Sequence, residues 1–395
     1  MNVTGHASTV APTGTATSFT TSDGCQWQYN ADVIYTSGRS FIPTESVVAS
    51  PGLITVNMQA NYRALLWNDR EYVAGANGEA NPIRVQDHND YMYEGSGQLN
   101  ESHPAYHVIV QAAPGESFSD NLKPTDPLTG YDPTKGVAIR NSNPPVLPFE
   151  ASGFDVHDNY TDLIGLQIKS VHGAAVNGMT SFANAMTIRN FILDGGSTNP
   201  ADFGSGATFT TDTASFVANG LIIARGAYGA IHKYPGVIWN CTIVSPDKTG
   251  VIGVVNVNVW VYDPMLVWNT AIYGFAHAGG WQLPETTFNT LSSGNVTDSP
   301  NDTGTSGNYT VSSIPGTSYG SSMTAAFIAP GTDWRPKSPG PLIGKGKPLG
   351  THIINSIVWE EHAPSPAYNF DSPDIIGTPR PGPSGFDIGA WQSPT

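Results

Sequence analysis

A triplet made of a β-branched residue, a variable residue and an asparagine recurs along this chain. It reads Ile139-Arg140-Asn141, Ile188-Arg189-Asn190, Ile238-Trp239-Asn240, Val267-Trp268-Asn269 and Ile353-Ile354-Asn355. The asparagines stand 49, 50, 29 and 86 residues apart. Coils of roughly 25 residues would supply these as two, two, one and three coils, with loops taking the remainder; periods of about 20–50 residues mark solenoids. A second set, Gly165-Leu166-Gln167-Ile168 and Gly220-Leu221-Ile222-Ile223, repeats at an interval of 55. The β-branched residue is expected to point inward and stack on its equivalents in neighbouring coils. The asparagine is expected at the turn, where it tolerates a left-handed φ and bonds backbone groups. Asn141, Asn190, Asn240, Asn269 and Asn355 then form a structural ladder. The sequence thus predicts an all-β chain, a single-stranded right-handed parallel β-helix with an N-terminal cap and a C-terminal closing segment.

Composition agrees with many strands and many turns. The 395 residues include 43 Gly and 31 Pro, and only 12% are charged, about half the usual share. With 16 Tyr, 15 Phe and 9 Trp, the chain is not a disordered one. A net charge of −15 argues against nucleic acid and against anionic membranes as partners. Cys25 and Cys241 have no metal-binding spacing, and Cys241 lies in an apolar strand pattern that points to a core position. No cofactor or metal is expected.

Three regions follow. Residues 1–105 read as an N-terminal arm and cap or attachment region, with a helix-like stretch over 62–72 suited to covering an open sheet end. Residues 106–332 read as the β-helix proper, with long Ser/Thr/Gly/Asn-rich loops over 284–330. Residues 333–395 read as C-terminal coils and cap. The N-terminus has neither a basic start nor an apolar run, so no classical signal peptide is expected.

The last region is the most specific. It contains Asp333-Trp334-Arg335-Pro336-Lys337-Ser338-Pro339 and Ile343-Gly344-Lys345-Gly346, then Asp374-Ile375-Ile376-Gly377-Thr378-Pro379-Arg380 and Asp387-Ile388-Gly389-Ala390-Trp391-Gln392. This resembles the C-terminal pattern of right-handed β-helix proteins of the pectin-lyase-like superfamily, of the phage-virion or secreted bacterial type. That pattern runs D-x-R…S-P-x-I-x-x-G, D-x-x-G-x-x-R, then D-I-G-A-aromatic-E. Gln392 stands where Glu is usual, and an insertion at about 350–370 separates the halves. The resemblance implies the fold; the superfamily hosts lyases, hydrolases, adhesins and viral spikes, many of the spikes trimers. Asp333, Arg335, Asp374, Arg380 and Asp387 are expected to pair as a closing cap rather than to act catalytically.

Chemistry-bearing motifs are sparse. Asp87-His88-Asn89-Asp90 and Asp155-Val156-His157-Asp158 offer acids and bases at close spacing, and Asp155, His157, Asp158 and Asp194 are the weak catalytic candidates for a hydrolase or lyase. Trp239 and Trp268, the outward residues of successive triplets, offer stacking platforms for sugar rings, with Arg189 nearby as a hydrogen-bond donor; these are the glycan-binding candidates. Two functions are expected from these features. One is a structural or adhesive surface protein, such as a phage capsid decoration, head fibre or tail spike. Its partners would be capsid or tail proteins, cell-surface polysaccharide, or further copies of itself. The other is an extracellular polysaccharide lyase or glycoside hydrolase. The absence of a recognisable catalytic pattern favours the first. Either places the chain on a virion surface or outside the cell.

Overall fold

The computed structural model describes residues 117–141, 153–156, 161–178, 186–196, 209–211, 215–226, 228–232, 236–248, 250–256, 265–281, 288, 290–306, 308–348, 373–382 and 385–393, together with the backbone of strands 18–20, 26–29, 33–35, 40–41, 46–50, 53–58, 83–86 and 108–112. The chain is a parallel β-solenoid. Its strands stack into a 14-stranded and a 10-stranded sheet, in which strands close in sequence lie on different walls and the next coil returns to pair in parallel.

The stacking is read directly from side-chain register. Leu163, Ile188, Val217, Ile238 and Val267 are successive partners along one line. Ile139, Ile168, Leu193, Ile222, Ile243 and Ile272 form a second line beside it. All of these are buried in one core, together with Phe154, Val176 and Val254 from the opposite sheet. A branched aliphatic residue suits this place because it has few rotamers to lose and packs on its neighbours above and below. Each such fully buried side chain contributes about 1.5–3 kcal/mol.

Between the two lines the chain bends at one repeated position. Register places Gly165, Asn190, Asn219, Asn240, Asn269, Gly294 and Gly316 in one column. All seven have positive φ, with the four asparagines between 46° and 53°. Only Gly and Asn reach that conformation at low cost, and they are the residues found there.

Two details of the expected register change. Asn141 is not in this column: it pairs with Ser170 in the strand after the bend, because an inward branched residue followed by an outward one occurs on both sides of the turn. Gly165 aligns with Asn219, and Gly220 with Phe191, so the two Gly-Leu repeats are one residue out of step. Gly220 is needed for another reason, since a Cβ there would lie 2.0 Å from the Phe191 ring. Asn355 lies outside the described residues.

Antiparallel pairs border the stack. Ser46–Ser50 pairs with Leu53–Met58 at one edge, and Gly304–Ser306 pairs with Tyr309–Ser312, which lies antiparallel on Phe275–Trp281, at the other. Such hairpins use up the donors of a terminal strand and limit further pairing. The helix expected over 62–72 lies outside the described residues. The stretch expected as long loops near 284–330 is drawn into the stack instead, with Asn295–Thr297 pairing in parallel onto Ala271–Tyr273. Its Val296 supplies the buried contact, and the polar residues around it satisfy the turns: Asn295 accepts from the Thr270 amide and donates to the Val267 carbonyl.

Candidate functional site

Strand alternation sends every second residue outward from the 14-stranded sheet. After the bend the later coils turn mostly apolar residues outward: Ile192, Leu221, Ala271 and Val296 on one line, interrupted by Thr242, and Ile223, Val244 and Tyr273 on the next, with Gln167 and the pair Lys169 and Asp194 preceding them on the same lines. A bare face of this kind would demand a partner. Here the chain covers it with itself. Phe118 and Leu128, from the segment between the stacked strands Val108–Ala112 and Ala138–Asn141, and Trp334, Leu342, Ile375, Ile388, Ala390 and Trp391, from the end of the chain, join the outward residues in a second buried core. Tyr273, Phe327 and Trp334 meet edge to face, with centroids 5.2 and 5.3 Å apart.

The residues expected to close the solenoid hold this cover in place. It lies against the outward residues along the side of the stack. Asp333 accepts from Arg335 Nε and Nη2 and from the Leu128 amide, while Arg335 Nη1 donates to the Pro124 carbonyl. Asp374 accepts from the amides of Ile376, Thr378 and Gln392. Asp387 accepts from those of Gly344 and Ser393, and Arg380 donates to the carbonyls of Asp387 and Gly389. Gln392, in the place of a Glu, uses both ends of its amide on Asp387 and Gly385. Burial pushes the Asp374 and Asp387 carboxyls above the ordinary carboxylate range, against the pull of these amides and of Arg380.

Three coils receive the cover. Asn219 Nδ2 donates to the Pro373 carbonyl, the Ala390 amide donates to Thr242 Oγ1, and the Gly389 amide donates to the Asn269 carbonyl. Gly389 has φ of 99°, and a Cβ on it would lie 2.6 Å from Thr242 Oγ1, so only glycine permits this approach.

Trp239 and Trp268 are register neighbours, as their triplets require. They do not form an open platform: they are 3% and 5% exposed. Trp268 Nε1 donates to the Lys347 carbonyl, and Asn269 exchanges two hydrogen bonds with the Lys347 backbone. The candidate sugar-stacking surface is therefore closed by the chain itself. Arg189 lies on the same register line, separated from Trp239 by Ala218.

The acid candidates separate. Asp155 belongs to the 10-stranded sheet, between Arg84 and Asn177, and Asp194 to the 14-stranded sheet; His157 and Asp158, like Asp87 to Asp90 in their side chains, lie outside the described residues. Asp194 is 2% exposed and is held by two cations. Lys169, directly across in register, donates to it at 3.0 Å, and Arg225 grips it through Nε and Nη2. The Arg225 guanidinium is in turn held above its ordinary pKa by this carboxylate. A buried acid held by three charge-assisted hydrogen bonds ties neighbouring coils together.

A cleft was missed by the sequence reading. It encloses about 150 Å³ beside the cover, above the buried Phe118, Leu128 and Ile192, with Asp126, Lys135 and Gln167 among its lining. The signal available was only the turn-rich run Asp126-Pro127-Leu128-Thr129-Gly130-Tyr131-Asp132-Pro133, which marks a loop without saying what it folds over. Asn219 closes a further triplet of the same form, Val217-Ala218-Asn219, whereas Arg225 carries no such mark. Among the described residues no cluster of three metal-ligating side chains forms. Compared with known proteins, the chain matches no family model, no curated protein and no solved structure.

Proposed function

We propose that the chain is a structural and adhesive surface protein, a phage-particle component such as a capsid decoration, head fibre or tail spike, with right-handed coils of the pectin-lyase-like kind. The observation that carries the reading is the sealed outer face. The carboxylates of Asp194, Asp333, Asp374 and Asp387 are all spent on holding coils and cover together. A right-handed course is the one parallel β connections overwhelmingly take, and the C-terminal motifs resemble that superfamily. A solenoid resists unfolding from its middle because each coil is held from both sides. A low share of charged residues and an outer face covered by the chain itself suit a long-lived exterior protein.

The partners under this reading are capsid or tail proteins and surface polysaccharide. The test is electron microscopy of purified particles with the chain decorated by a specific antibody fragment. Regularly placed label on the outside of head or tail is the expected result. Particles without label, with release of new reducing ends or unsaturated products from a polysaccharide panel by the purified chain, would replace this reading with the enzymatic one.

A further inference from the structure

The cleft beside the cover is built rather than left over. Its loop is fixed to the solenoid by Gln167, whose amide accepts from the Asp132 backbone at 2.9 Å and donates to it at 3.0 Å. Leu128 is fixed to the cover, its amide donating to Asp333 and its carbonyl accepting from the Trp334 amide. The helical turn Phe118–Asn121 is fixed by a capping box between Ser117 and Asp120, and Ser117 Oγ also donates to the Gly165 carbonyl. The walls therefore come from three chain segments, each tied independently, and little ordering is left for a ligand to bring about.

At the mouth stand Asp126 and Lys135, with Asp126 Oδ2 4.0 Å from Lys135 Nζ and both side chains about a third exposed. Asp126 Oδ2 accepts from the Lys123 amide. Oδ1 of Asp126 and the Lys135 ammonium form no hydrogen bond to any described residue. A strong acceptor and a strong donor thus lie side by side, unspent, over an apolar floor. The lining also carries Asp132, its Oδ1 taken by the Thr134 amide and hydroxyl, so two carboxylates stand against one ammonium and an anionic ligand is disfavoured. For a neutral ligand Asp126 and Lys135 offer one acceptor and one donor at adjacent places.

We infer that this cleft binds a single neutral sugar ring. A vicinal diol supplies, on adjacent carbons, one hydroxyl that donates to Asp126 and one that accepts from Lys135. The C–H face of the ring rests on the partly exposed side chain of Leu122, with Leu128 buried in the core beneath. The enclosed volume admits one ring and leaves the neighbouring rings of a polysaccharide in solvent, which suits recognition of a chain end or branch. The inference rests on the adhesive half of the proposed function for its biological sense, and on the cleft alone for its chemistry.

The test is saturation-transfer NMR on the full chain with a panel of neutral methyl glycosides, with glycine and alanine as zwitterionic controls. At least one glycoside is expected to receive saturation at its ring C–H protons. Asp126→Asn and Lys135→Met, checked for unchanged melting, should each weaken it by about tenfold. Binding of the amino acids in preference to every sugar, variants that bind the glycoside as tightly as the unaltered chain, or no glycoside bound at all would overturn the inference. None of these outcomes bears on where the chain sits on a particle, so the labelling experiment fails or succeeds separately.

Discussion

At Asn240 the chain holds φ at 49° with the side chain almost wholly buried, and this residue summarises why the coils bend where they do. A β-branched replacement would bring its Cβ against the backbone, at a cost of about 1–2 kcal/mol. Asn240→Val is therefore expected to lower the unfolding free energy by at least that amount in urea titrations, while Asn240→Gly loses much less. Equal losses for the two would show that the amide matters and the backbone angle does not. This column was half legible. Asn190, Asn240 and Asn269 stood out because each closes a triplet opened by a branched residue, but Gly165, Gly294 and Gly316 do the same work without a distinctive neighbour. Asn141 carried the same triplet into the strand after the bend, where no left-handed residue is required. The residue scale also sets a pH response. Burial raises Asp374 and Asp387 above their unfolded pKa, so their contribution is fully present below the unfolded value near 4 and is lost as pH rises through the folded value. Protonation also relieves the repulsion among the acidic groups that give a net charge of −15. Melting is expected at a higher temperature near about pH 5 than near about pH 8, and a Tm that stays level or rises from the lower pH to the higher would contradict this.

The element that most shapes the exterior is the closing segment 373–393. Its sequence motifs were legible as a network of Asp, Arg and backbone amides, since so few other charges occur in the chain. Its position was not, because a motif says which groups will bond and not which face of a solenoid they will cover. That face is dictated by the apolar outward residues Leu221, Ile223, Val244 and Tyr273, whose partners, such as Phe327 for Tyr273, lie far along the chain. The same covering explains why Trp239 and Trp268 are buried although strand alternation points them outward: a large apolar ring beside an apolar face is covered with it. Asp374→Ala removes the acceptor for three amides. It is expected to cost about 1–3 kcal/mol, part of the lost bonding being offset by removal of a buried charge. Limited proteolysis should then cut within 373–393 well before the coils, and Trp391 fluorescence should shift to the red. Simultaneous loss of segment and coils would mean that the cover and the stack form one cooperative unit.

For the whole molecule, the branched residues of the triplets define a single interior, and everything outside follows from it: the bend column, the apolar outer face, the cover and the cleft at its margin. The alternation of inward and outward residues made that interior readable from the chain alone, while loop lengths that vary from coil to coil concealed the register of particular pairs. A methyl-labelled sample tests the interior directly. Nuclear Overhauser contacts are expected in series from Ile188 to Val217, from Val217 to Ile238, and from Ile238 to Val267, with none between Ile188 and Val267. Methyl groups of Ile188, Val217, Ile238 and Val267 that report contact in any other order, or with solvent alone, would contradict the stacked core.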